Sequence, residues 1–132
     1  MNPGARLIGI IALVAAAASP SASCTGFVDK VSLLNCGVVA TATGTRRVRT
    51  ETDCAENLRI EVQDVPRGLY AVLIDGVERG TIHVKGRREG ELEFDTRPTG
   101  DQLPLDFDPF GHVDIAVRSG AAILSLEQCA AP

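Results

Sequence analysis

The chain reads as an all-β protein, a small single-domain β-sandwich or open barrel of about seven to nine antiparallel strands linked by disulfides. Three observations predict this. Apolar and polar residues alternate with a period of two over residues 58–63 and 91–96. Asp75-Gly76, a pair that tolerates the positive φ of a tight hairpin turn, lies between the apolar runs 69–74 and 77–84. Four cysteines, an even set, follow a leader that sends the chain out of the cytoplasm.

The leader is expected over residues 1–23. Arg6 is its one charge, the twelve residues 7–18 carry no charged or strongly polar side chain, and Pro20 and small residues follow. Twelve apolar residues are too few to cross a bilayer, which takes about 20, so this is a signal peptide and not a membrane helix. Cleavage after Ser23 leaves one domain over 24–132 that begins at Cys24. A rival reading lipidates Cys24 and anchors the protein to a membrane, because Ser21-Ala22-Ser23-Cys24 resembles a bacterial lipobox. It departs from that pattern at Ser21, where a leucine is usual, and at Pro20.

Cys24, Cys36, Cys54 and Cys129 are expected to form two disulfides. Of the three possible connectivities, 24 with 36 and 54 with 129 is the expected one, the second bridge tying the C-terminal tail into the sheet. No Cys-x-x-Cys occurs, which removes the usual redox motif and the zinc knuckle. Without Arg6, the 13 basic residues become 12 against 17 acidic ones, a net of −5. Such a surface does not seek nucleic acid or anionic lipid, and Arg46-Arg47-Arg49 and Arg87-Arg88 read as solvated strand and turn positions. A chain of this length supports a core of about 25 buried side chains.

Taken in order, residues 30–35 form a short apolar strand, with a helix over 27–34 as the alternative. Residues 38–43 and 46–52 flank Gly44-Thr45 as a second hairpin, rich in threonines that suit the pleat. Leu58, Ile60 and Val62 face the core, while Arg59, Glu61 and Gln63 face water. In the 69–84 hairpin, the two arms are expected to put Leu69, Ala71 and Leu73 on the core face with Gly80, Ile82 and Val84. Tyr70, Val72 and Ile74 then point the other way, so the first arm reads as a central strand covered on both faces. Residues 65–68 and 85–90 are turns. Pairing 84 with 92 and 82 with 94 would bring Leu92 and Phe94 inward and set His83 opposite Glu93 and Lys85 opposite Glu91. A metal site of His83, Glu91 and Glu93 is conceivable there, and cross-strand ion pairs are the ordinary explanation.

Residues 103–107 alternate inward at 103, 105 and 107, and Pro104 places that strand at an edge. Asp108-Pro109-Phe110-Gly111 is a turn. Val113, Ile115 and Val117 return to the core, and Ser119-Gly120 leads into residues 123–126. Pairing 105 with 115 and 107 with 113 would set Asp106 opposite Asp114, with Asp108 and His112 at the mouth. Opposed carboxylates repel unless something relieves them, and an oxygen-seeking cation such as calcium would do so. The spacing is not that of an EF-hand, since Phe110 and Val117 occupy ligand positions.

No nucleophile elbow, His-Glu-x-x-His, phosphate loop or dinucleotide fingerprint is present. The succession of a leader, a Val-Pro-x-Gly turn, an Asp-Gly hairpin and an Asp-Pro-x-Gly hairpin is similar in general character to small exported bacterial β-domains. The sequence therefore predicts a non-catalytic periplasmic or extracellular module, without a cofactor, that presents loops or an edge strand to a protein or envelope component. Two alternatives remain: a cation-binding protein or weak hydrolase centred on Asp106, Asp108, His112 and Asp114, and an inhibitor of a secreted hydrolase that presents the loop 85–90.

Overall fold

Alternation alone makes strands; which strands meet is decided by how two oily faces close on each other. The computed structural model describes residues 23–110 and 114–129. These residues are all-β, with no helix, and form ten strands: β1 (Phe27–Ser32), β2 (Leu34–Asn35), β3 (Thr43–Thr50), β4 (Glu56–Gln63), β5 (Gly68–Ile74), β6 (Val77–Val84), β7 (Glu89–Asp95), β8 (Leu103–Pro104), β9 (Ile115–Ser119) and β10 (Ala121–Ser125). They make two five-stranded sheets. The first runs β1-β3-β4-β7-β8 and the second β2-β10-β9-β5-β6. Every pairing is antiparallel except β7 with β8, which is parallel. The leader expected over 1–23 lies outside the described residues apart from Ser23.

One apolar cluster is shared by both sheets. Val48, Leu58, Ile60, Val62, Leu92 and Phe94 come from the first, and Tyr70, Val72, Ile74, Ile82, Val84, Ile115, Val117, Ile123 and Leu124 from the second. Removing this apolar surface from water is the main stabilising term, at about 25 cal/mol per Å². Strand β4 buries Leu58, Ile60 and Val62 and turns Arg59, Glu61 and Gln63 outward, as its alternation requires.

The 69–84 hairpin forms around Asp75 (φ 50°) and Gly76 (φ 78°). Ile82 and Val84 of its second arm are buried as expected, but the first arm faces the opposite way: Tyr70, Val72 and Ile74 are buried, and Leu69 is 64% exposed. The cause is a bulge. Leu73 pairs with Glu78 but Val72 pairs with Gly80, so Arg79 is extra and every pair from Val72–Gly80 to Gly68–Val84 is shifted by one residue. Strand β5 is hydrogen-bonded on both edges, by β6 and β9, yet only one of its faces is covered.

Gly44 is not a turn residue. It lies inside β3, which runs unbroken through the expected hairpin. A Cβ there would sit 2.7 Å from Leu124 Cδ1 and 2.9 Å from Glu61 O, so glycine is needed for close approach of the second sheet. Strands β6 and β7 do not pair with each other. The chain crosses between sheets after Val84, β7 joins β4 and β8, and the expected 84–92 ladder is absent. A Cβ on Gly90 would lie 2.6 Å from Ile82 Cγ2, which shows how tightly β7 packs over β6.

Disulfides join Cys24 to Cys54 and Cys36 to Cys129, with Cα separations of 5.0 and 5.5 Å, instead of the expected 24–36 and 54–129. The tail is held, but by the end of β2. Persistent bridges of this kind mark an oxidising, non-cytoplasmic compartment. Among the described residues, no helix is long and apolar enough to cross a membrane.

Candidate functional site

The expected acidic hairpin is not built. Strand β8 lies parallel to β7, and β9 pairs with β5 and β10, so residues 105 and 115 share no ladder. Asp106 Oδ1 instead accepts from Arg79 Nη1 at 3.1 Å, and that guanidinium lies 5.2 Å from the centre of the Phe107 ring. Asp108 Oδ1 caps its own turn by accepting from the Phe110 N–H. Asp114 exchanges two hydrogen bonds with Asp75: its N–H donates to Oδ1 and its carbonyl accepts the Asp75 N–H, both at 2.8 Å. His112 lies outside the described residues. Among those described, no three His, Cys, Asp or Glu side chains stand close enough to share a metal ion. His83, opposite Leu69, is in a different sheet from Glu91 and Glu93.

The outer face of the first sheet separates charge across its strands. Glu89, Glu91, Glu93 and Asp95 alternate along β7, and Arg59 on the neighbouring β4 holds three carboxylates: Glu61 at 3.2 Å, Glu91 at 3.5 Å and Glu93 at 3.7 Å. Asn57, buried, donates to Glu93 and Asp95. The register then sets Arg59 beside Arg47 and Arg47 beside Lys30. Three cations stand in one row, and like charges directly opposite one another are destabilising. Among the described residues, no carboxylate pairs with Lys30 or Arg47. Arg46, expected in water, instead points inward and is buried against Asp29 of β1.

This row ends at an uncovered sheet edge. Among the described residues, strand β1 pairs only with β3, and just one of its six residues, Asp29, is even half-buried. Phe27, Val28 and Val31 are 48%, 58% and 37% exposed, and the Phe27 ring rests on Phe110 at 5.1 Å. Leu33 N–H donates to Gly44 O, so the odd-numbered residues of β1 face β3, and alternation turns the N–H and C=O of Val28, Lys30 and Ser32 to the open edge. The strand expected over 30–35 is found as β1 over Phe27–Ser32 and the two residues of β2, broken at Leu33, and nothing in the local pattern marks which side of β1 finds a partner.

Three further features lie away from this edge. A groove of about 780 Å³ on the outer face of the second sheet is floored by Leu73, Ala116 and Ala122 and walled by Cys129. The Tyr70 hydroxyl donates to Pro66 O at 2.6 Å, and burial raises its pKa. In the loop 85–90, Arg88 is drawn back toward Val65 O at 3.4 Å. No protein-family model, curated protein or solved structure matches the chain.

Proposed function

We propose that this chain is an exported, non-catalytic β-sandwich that binds a protein partner along strand β1. The open edge carries the reading: Val28, Lys30 and Ser32 turn backbone donors and acceptors outward beside exposed Phe27 and Val31. Natural sheets blunt their edges with short strands, proline, bulges or charges; β1 has none of the first three, and its charges are Lys30 and the inward Asp29, which is already paired with Arg46. An incoming strand would satisfy those groups and cover the apolar side chains.

Export through the 1–23 leader agrees with the two bridges. The Cys24 thiol that a lipid anchor would need is occupied by Cys54, which favours a periplasmic or extracellular protein free of the membrane. Of the aspartates that suggested cation chemistry, Asp106 and Asp108 direct their carboxylates to Arg79 and the Phe110 turn, and Asp114 meets Asp75 through its backbone.

A photo-crosslinking side chain placed at Val28, and separately at Glu91 and Leu69, tests the reading in the exported fraction of producing cells. The expected result is a discrete adduct from position 28 alone. Adducts of equal yield from all three positions, or none from 28, would overturn it.

A further inference from the structure

The geometry points to an extended segment that alternates apolar and acidic residues as the partner of β1, its carboxylate lying opposite Lys30. This rests on the reading of β1 as the docking edge and adds the chemistry of what docks. An added strand lies about 4.8 Å from β1 and places side chains directly beside those it pairs with. On the outer face it meets Val28, Lys30 and Ser32, and on the inner face Phe27, Asp29 and Val31.

Charge decides the outer face. Arg59 has three carboxylates, whereas Lys30 and Arg47, next in the same row, have none among the described residues. The Arg47 Nε is buried without a hydrogen-bond partner there. A carboxylate opposite Lys30 extends the row from three cations to a balanced end. A base there would make four. The inner face is mostly apolar, because Phe27, Val31 and Phe110 present exposed surface there and its one acid, the half-buried Asp29, is already paired with the buried Arg46.

A second copy of β1 fits poorly. Of the antiparallel registers that keep both outer faces on one side, the two with most overlap set Lys30 against Lys30 or Asp29 against Asp29, like charges in contact at the two-fold axis. The surface thus discriminates against itself and favours an acidic stranger.

The test uses the full mature chain with both bridges intact and a labelled, end-blocked peptide alternating valine and glutamate, followed by fluorescence anisotropy at low salt. A lysine-for-glutamate peptide is the comparison. The glutamate peptide should bind at least tenfold tighter. Lys30→Glu should reverse that preference. Val28→Pro should abolish binding, since it removes an edge donor without breaking a bond to β3. Should Val28→Pro fail to fold, backbone N-methylation of the peptide at alternate residues gives the same readout on the unaltered protein. Equal binding of the two peptides, or binding of neither, overturns the acidic preference; a crosslink still confined to position 28 would then leave the docking edge standing. Tight binding that survives both Val28→Pro and N-methylation overturns strand addition itself.

Discussion

At its β8 end the first sheet stops on two residues, one of them Pro104, and the chain beyond folds back so that Leu103, Leu105 and Phe107 pack on the core. At its β1 end six residues run past the core, three of them exposed apolar ones. The two ends belong to one sheet, and they differ in what lies across from them. Opposite β8 stands β6, whose bulge aims Arg79 at Asp106 and Phe107 and whose Gly80 leaves room for Leu92 and Leu103. On the β1 side the second sheet ends, among the described residues, in the two residues of β2. A sheet is closed where its neighbour reaches far enough to cover it, and left adhesive where it does not.

The largest effect that tests this contrast is expected at the closed end. Phe94→Ala removes a side chain that is 2% exposed and meets Phe107 edge-on at 5.4 Å, and should cost about 3–5 kcal/mol in denaturant unfolding. A loss under about 1 kcal/mol would mean that the β8 end is not closed.

The bridges come next. Replacing Cys36 and Cys129 together by serine should cost about 2–5 kcal/mol, and the Cys24 and Cys54 pair about 1 kcal/mol less, because the sequence separations are 93 and 30. Thermal melts of both double variants check the order. At the open end, Phe27→Ala should cost less than about 1 kcal/mol, since nearly half of that ring already meets solvent. Equal costs for Phe94→Ala and Phe27→Ala would erase the contrast between the two ends.

The smallest effect concerns the loop between β3 and β4. Asp53 is held below the ordinary carboxylate range, first by the Ala55 N–H that donates to it and then by Arg97 at 2.6 Å. A folded-state pKa that is depressed stabilises above the unfolded value, and that contribution is lost as pH falls through the folded value. The melting temperature of the native chain should therefore exceed that of Asp53→Asn slightly near neutral pH and converge with it in strong acid. A gap that widens on acidification would reverse the assignment.

Much of the fold is legible in local pattern. Residues 58–63 and 91–96 alternate, and both become strands with Leu58, Ile60, Leu92 and Phe94 inward. Asp75-Gly76 turns as its chemistry demands, and Pro104 does mark an edge. What escapes is everything set by distant partners. Alternation says that β7 has an inner face but not that β4 lies beside it in place of β6. Cysteine spacing leaves all three connectivities open. Gly80 does carry a signal for the bulge at Arg79, since a lone glycine within a strand is a known mark of one, and the core face of the hairpin follows once that mark is used. Gly44 carried the same ambiguity and proved to be a point of close approach. The acidic hairpin at 106–114 failed for the same reason as the 84–92 ladder: neighbours in sequence were expected to pair, and the chain crossed to the other sheet instead.

Amide hydrogen exchange along β1 tests the open edge most directly. The N–H groups of Asp29 and Val31, bonded to β3, should be protected, while those of Val28, Lys30 and Ser32 should exchange at nearly the rate of an unstructured peptide. Uniform protection across all five in the isolated chain would mean that the edge is already covered, and the account of this protein as a strand acceptor would be wrong.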